Sequence, residues 1–595
     1  MTIPIGGRTP LWLPGDDPAA QHARSLDSPV PGLELTLTTG ADADVPSPEI
    51  THRNGIVTLS VNAEQLVRVT ALIQTRDAVA LWRPGSARDH AHIPASWEEP
   101  ETVSPLSGMA LGCLLADGDQ SIVTYGASSG ERPLRVRAGL VEESAELLIS
   151  FEIDGKTGET PLRVHLDLAR RGFVESVQEM TRRLSGPRPR PAIDDERPVL
   201  CTWYFLQQAI DGDALVDYAE PASQLGFGTL IVDDGWQTDD TARGYGSAGD
   251  WCVSATKIAD AARMVERFAT NNIRTMWWIG APFIGHRSQA VSHLPIVADD
   301  PSMHAAVLDS RSESARRHLV ERVVQLVRTT GAHGVKLDFL ERFAGQAVPE
   351  GIEAGALNLL DDLGFGLDEV LPGASIEFRE PYIGPSSTAR ATMLRVMDCP
   401  MSPIQNRIGI LDLRLATVGI AIHSDPIMWA DADSPARVAQ HLMNGLFGVP
   451  QVSMDLLALS ERHTQVLAFW LGIMNQYRHV LLHGEFQPER PELNYPMVHG
   501  SADGTTITAR YSPSILHEPA REWSRWLIAN ADSAAVALEP ATGTTRATRI
   551  RISVQDPTGV LLTDEMYDSL PHRITVPTGG LATVERATNL RGSHG

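Results

Sequence analysis

Between residues 198 and 454, short apolar runs alternate with longer stretches of helical periodicity. Eight runs have the length and residue types of buried strands: Pro198–Phe205, Thr229–Asp233, Arg274–Ile279, Gly334–Leu340, Ser375–Arg379, Met393–Met397, Gly419–His423 and Val449–Met454. Ser312–Thr329 brings Leu319, Val323, Val324 and Val327 to one side of a helix. Gln405–Ala416, Pro435–Leu446 and Glu461–Tyr477 are further helix candidates. Strands alternating with helices in this way predict an α/β fold, a (β/α)8 barrel. The gap between the fifth and sixth runs is short for a full helix, so one of those two assignments stays open.

A barrel takes about 250 residues, and the chain has 595. Ahead of it, Ile56–Val61, Gln65–Ile73, Ala78–Trp82, Gln120–Thr124, Leu134–Ala138 and Ala145–Ile153 are short alternating runs at the spacing of a β-sandwich. Thr181–Arg197, dense in Arg and Pro, reads as a linker. Thr505–Tyr511, Glu522–Ala529, Ala535–Leu538, Thr548–Val554 and Ala582–Arg586 predict a small C-terminal sandwich. The expected division is residues 1–185 for the first sandwich with its linker, 186–480 for the barrel and 481–595 for the second sandwich.

The barrel runs end in polar groups. Leu230-Ile231-Val232 leads into Asp233-Asp234-Gly235-Trp236, which delivers two carboxylates and an indole to one spot. Carboxylates grip hydroxyls and an indole covers an apolar ring face, a combination suited to sugars. The alternative is a plain Asp-Gly turn. Lys336 and Asp338 lie two apart on one strand and face the same side, where the ammonium keeps the carboxylate ionised. Glu377 and Arg379 repeat the pattern, Met393-Leu394-Arg395-Val396-Met397 ends in Asp398, and His423-Ser424-Asp425 follows an apolar run. Active sites in this fold gather at these C-terminal strand ends.

Composition narrows the partners. Fifty Lys plus Arg face 74 Asp plus Glu, a net charge of −24. That balance argues against nucleic acid and anionic membranes and suits a neutral small substrate. No apolar stretch approaches the roughly 20 residues of a membrane span, and no basic-then-apolar leader opens the chain, so the expectation is a cytoplasmic protein. The four cysteines are scattered and read as free thiols. No HExxH or comparable spacing predicts a metal, and no Gly-rich phosphate loop predicts a nucleotide, so no cofactor is expected.

The order Asp-Asp-Gly-Trp, then Gly249-Asp250-Trp251 with Lys257 after it, then Lys336-Leu337-Asp338, then Arg395-Val396-Met397-Asp398 resembles the α-galactosidases of glycoside hydrolase family 36. Family 27 and the raffinose-synthase-like proteins share parts of it. The resemblance covers roughly residues 198–454. It implies a retaining exo-α-glycosidase acting on terminal α-galactosides of small oligosaccharides, with Asp338 as nucleophile and Asp398 as general acid/base. It also implies that Asp233 and Asp234 accept from the 4- and 6-hydroxyls, that Lys336 donates to the 3- and 4-hydroxyls, and that Trp236 or Trp278 covers the ring. Family members are often oligomeric, so the resemblance admits a homo-oligomer.

Residue by residue, other roles compete. Tryptophan on a strand is more often core than platform. Arg379 serves either the substrate or a salt bridge to Glu377 or Glu380. His423 reads as structural, Asp425 as a pocket-lining candidate, and Arg407 and Arg414 as solvated or paired with Asp412. The apolar setting of Asp398 would raise its pKa, and Arg395, if close, would oppose that. The family's fifth strand carries Cys and Gly at the 2-hydroxyl, where this chain has Ser-Ile-Glu-Phe-Arg-Glu-Pro, and the second Asp of its acid/base segment is missing. The alternatives are therefore a glycosidase for a modified α-sugar, a transglycosylase of the raffinose-synthase kind, and, least favoured, a non-catalytic sugar-binding barrel.

Overall fold

All eight barrel runs are strands, and they form one parallel sheet: Val199–Cys201, Thr229–Val232, Arg274–Gly280, Gly334–Asp338, Ser375–Arg379, Met393–Arg395, Ala421–His423 and Gln451–Val452. The first and last pair with each other, and a parallel bridge between His423 and Val449 closes the ring. The computed structural model describes residues 21–586 except 41–45, 63, 76, 154, 156–159, 187–190, 345–347 and 541–548. The fifth and sixth strands are both real. They pair Glu377 with Met393 and Arg379 with Arg395, and the segment between them holds only the one-turn helix Pro385–Thr388. After the third strand the chain adds a three-stranded antiparallel sheet (Phe283–Gly285, Ile296–Asp300, Ala305–Leu308) that the periodicity did not announce.

The side-chain period of two decides what fills the barrel. Val199, Cys201, Ile231, Met276, Met393 and Ala421 form a small apolar cluster inside it. Two residues further along the same strands, the same face presents Asp233, Trp278, Arg395 and His423. Lys336 and Asp338, then Glu377 and Arg379, continue that face on the fourth and fifth strands. The interior thus changes from apolar to charged toward the C-terminal strand ends. The outer helices begin at or within two residues of the predicted positions. Ser312, Ser434 and Ser460 cap Glu313–Thr330, Pro435–Asn444 and Glu461–Gln476 by accepting from backbone N–H groups.

Ahead of the barrel, two six-stranded sheets enclose a core that includes Leu35, Leu59, Val69, Leu114, Ile149 and Val164. Several of their strands went unpredicted. Leu111–Ala116 is buried at every position, because the helix Phe173–Leu184 covers its second face, so it shows no alternation. That helix also corrects the linker reading of Thr181–Arg197. Thr181 is buried in its last turn and its hydroxyl donates to the Leu415 carbonyl at 2.8 Å. After the barrel, a seven-stranded and a three-stranded sheet enclose Leu516, Trp526, Ile528, Val536 and Ile552.

Asp412, on the barrel helix Pro403–Ala416, ties these parts together. It is fully buried. Its carboxylate accepts from Trp82 Nε1 (3.0 Å) and the Gly85 N–H (3.1 Å) on the N-terminal side and from the Tyr495 hydroxyl on the C-terminal side. His90 Nε2 lies 3.0 Å away. Arg407 and Arg414 are not its partners. Arg407 donates to Asn444 and the Asn494 carbonyl, and Arg414 to the carbonyls of Phe447, Leu481 and Leu482. Replacing Asp412 by Ala strands several buried donors at once, so denaturant unfolding should show a loss of about 3 kcal/mol or more. An unchanged midpoint would contradict this role.

Candidate active site

Three cations and five carboxylates converge at the C-terminal ends of the barrel strands. Lys336 Nζ lies 2.6 Å from Asp233 Oδ2, and both side chains are buried. Arg379 Nε lies 2.5 Å from Asp338 Oδ1, and its NH2 lies 2.8 Å from Glu341 Oε1. Arg395 NH1 pairs with Asp425 and, at 2.8 Å, with Asp398. Expectation and structure differ over who pairs with whom. Lys336 serves Asp233, on the second strand, and the main partner of Asp338 is Arg379, which bridges neither Glu377 nor the Glu380 carboxylate.

These pairings set the charges. Burial alone would raise the Asp338 pKa, but Arg379, then Lys336 and Arg395, override it and hold the carboxyl well below the usual range. Asp338 also accepts from the Phe339 N–H (2.8 Å) and from Trp278 Nε1 (3.0 Å). Burial would lower the Lys336 ammonium, and Asp233 outweighs it, so Lys336 stays charged. Burial pushes Asp425 up to about 6, only partly offset by Arg395.

Asp398 corrects the expectation of a raised pKa. Its side chain is 58% exposed, and although burial of part of it acts upward, Arg395 wins and shifts the group downward. Asp338 is near enough for the two charges to influence each other.

The turn after the second strand is built by Gly235. Its φ is +116° and a Cβ there would meet Gln208 Cα at 2.5 Å. Lys257 Nζ clamps it by donating to the carbonyls of Gly235 (2.9 Å), Asp240 (2.7 Å) and Gln208. Asp234 accepts from Gln208 and Gln237 side chains at 2.7 Å each, and burial pushes its pKa up to about 6. Trp236 is fully buried, donates to the Trp278 carbonyl at 2.9 Å and packs on Trp277 and Trp251. It is therefore a core residue with no face left for a sugar. Trp278 is also buried, with Tyr245 stacked on it at 5.7 Å. Asp250 caps the N–H groups of Gln289 and Ala290 and belongs to the scaffold.

Glu377 is fully buried, two residues before Arg379 on the fifth strand. Gln451 Nε2 donates to its Oε2 at 2.5 Å, and burial pushes it up to about 7 against Lys336 and Arg395. The sequence reading counted Glu377 among the substrate-binding candidates; the structure gives its buried carboxylate Gln451 as a hydrogen-bond partner. His423 is structural, with Nε2 2.7 Å from the Asp195 carbonyl oxygen. Sequence reasoning missed Glu341, Tyr204, Tyr245 and Phe339. The Tyr204 hydroxyl donates to Asp425 at 2.9 Å. Tyr245 and Phe339 are partly exposed and in contact, with ring centroids 5.0 Å apart beside Trp278. Unlike Trp236, they keep some exposed ring surface at the strand ends. Only the Asp-Phe pair at the end of the fourth strand hinted at any of these.

No protein-family model matches the chain. It is 24% identical over 322 residues to α-galactosidase 2 of Pediococcus pentosaceus, a match covering 52% of this chain and 42% of that protein. The chain thus aligns with less than half the length of that curated relative. Among solved structures, the family 36 α-galactosidase AgaA of Geobacillus stearothermophilus superposes with a TM-score of 0.62 at 13% identity, over 95% of this chain and 86% of that one. The α-galactosidase TtGalA of Thermus thermophilus, in complex with stachyose, gives 0.53 at 19% identity over 76% and 99%. The chain is α-galactosidase-like and shares the fold of the family 36 enzymes.

Glu377 makes a testable pH dependence. Its folded-state pKa lies above the unfolded value, so its contribution to stability is complete below about pH 4.5 and is lost as pH rises toward 7. Glu377→Gln should remove that decline, a difference on the order of 3 kcal/mol between pH 4.5 and 8 in denaturant unfolding. Parallel pH profiles for wild type and variant would contradict it.

Proposed function

We propose that this α-galactosidase-like chain is a retaining exo-α-glycosidase that hydrolyses terminal α-galactosides. The observation that carries the reading is the pair Asp338 and Asp398. One is buried, ionised and held by three donors; the other is exposed at the mouth, paired with Arg395 on one side and open to a leaving group on the other. Asp338 attacks the anomeric carbon and forms a glycosyl ester, while Asp398 protonates the departing oxygen. Asp398 then takes a proton from the water that releases the sugar. The stachyose held by the Thermus thermophilus relative supports an oligosaccharide substrate. Asp233, buried beside Lys336, and Asp234, buried between Gln208 and Gln237, supply the acceptors that axial and primary hydroxyls need.

The charges define how pH acts. Asp398 must carry a proton to act as acid, and Arg395 favours its anion. Asp398 therefore favours activity on glycosides with poor leaving groups as pH falls, and the low position of Asp338 keeps the nucleophile ionised there. The acid-side decline thus comes from a group that titrates higher, Asp234 at about 6.

Purified protein should release p-nitrophenol from p-nitrophenyl α-D-galactopyranoside. Asp338→Asn should reduce turnover on the order of 10³-fold or more while leaving sugar binding measurable by calorimetry. Asp398→Asn should lose far more rate on stachyose-like substrates than on the aryl glycoside, whose aglycone leaves without a proton. Equal losses on both would remove Asp398 from the acid role. Activity on a different α-glycoside alone would keep the two aspartates and change the sugar.

A further inference from the structure

We infer that Arg379 is a positioning residue that leaves Oδ2 of Asp338 as the attacking atom, holds Oδ1 as the carbonyl oxygen of the glycosyl ester, and so makes formation of the intermediate, not its hydrolysis, the slow step. The inference rests on the retaining reading above.

A carboxylate oxygen has two lone-pair directions. Oδ1 uses both, accepting from Arg379 Nε at 2.5 Å and from the Phe339 N–H at 2.8 Å. Phe339 stands in the left-handed region, at φ +64°. Among the described residues, Oδ2 accepts from Trp278 Nε1 alone, at 3.0 Å, and keeps one lone pair for carbon. Arg379 is fixed on three sides. NH1 donates to the Glu380 carbonyl at 2.7 Å, NH2 meets Glu341 at 2.8 Å, and the guanidinium carbon lies 5.4 and 5.7 Å from the ring centroids of Phe339 and Tyr382. The residue is only 6% exposed, so the pairing is poorly screened.

The consequence follows from the two steps. In the first, the Oδ2–C1 bond forms, the bond from C1 to the aglycone oxygen breaks, and the Asp398 proton passes to that oxygen. The negative charge on Asp338 disappears beside a cation, which costs energy. In the second, water oxygen bonds to C1, its proton goes to Asp398, and the C1–Oδ2 electrons return to the carboxylate. Charge now develops on Oδ1 under a guanidinium and a backbone N–H already in place, as in an oxyanion hole. Arg379 therefore slows the first step and speeds the second.

Rapid-mixing kinetics with aryl α-galactosides of graded aglycone acidity test this. Wild type should show no burst of aglycone, and kcat should fall as the aglycone becomes more basic. Arg379→Met should slow hydrolysis of the intermediate on the order of 10–100-fold. A burst of one aglycone per site should then appear, with one glycosyl unit added to the intact mass. Arg379→Lys, which keeps a charge without the fork, should fall between. A wild-type burst, or a kcat independent of the aglycone, would overturn the inference and leave the glycosidase reading standing. No release from any aryl α-glycoside would overturn that reading and the inference with it.

Discussion

Everything at the mouth of this barrel depends on ion pairs made between strands inside it. Lys336 reaches the second strand to meet Asp233, Arg379 reaches back to Asp338 on the fourth, and Arg395 reaches the end of the seventh to meet Asp425. Each charge is costly to bury alone, and each is buried only because a partner from another strand arrives at hydrogen-bond distance. The lattice fixes the rotamers of Asp338 and its neighbours, sets which carboxylates are ionised, and demands that the strands keep their register. A one-residue slip of any of them would turn its charges out into the apolar layer between barrel and helices.

The flanking sheets act on this lattice from outside. Glu380, next to Arg379, accepts from the Ser86 N–H at 3.0 Å on the N-terminal side and from the Met397 N–H at 3.3 Å, just before Asp398. The strand that carries Arg379 and the turn that carries Asp398 are thus held by one carboxylate, with the N-terminal sandwich as its third support. Asp412 does the same for the helix that follows the turn. The proposed chemistry needs groups whose neighbours are themselves locked.

Much of the architecture was legible in the chain because barrel strands are buried on both faces and read as apolar runs, while serines mark the helix starts. The charged residues were legible as a set, since the period of two says which side chains share the interior. Their pairing was not. Spacing along one strand puts Lys336 beside Asp338, yet the distances across strands give Asp338 to Arg379. Arg395 was visible three residues before Asp398, but only the turn brings it to 2.8 Å and reverses the expected shift of that acid. Trp236 looked like a platform because a sequence does not say which way a residue points after a glycine at positive φ. Helix Phe173–Leu184 was lost because its last turn was read with the Arg- and Pro-rich segment that follows it.

The most direct test of the central claim, that Asp338 is an ionised nucleophile and not a bystander, is the anomeric configuration of the first sugar released. Proton NMR on wild-type protein with an α-galactoside should show α-galactose first, with the β-anomer growing in later by mutarotation. A first product of β configuration would mean that water attacks directly. Asp338 would then form no ester, and the role assigned to the ion lattice around it would be wrong.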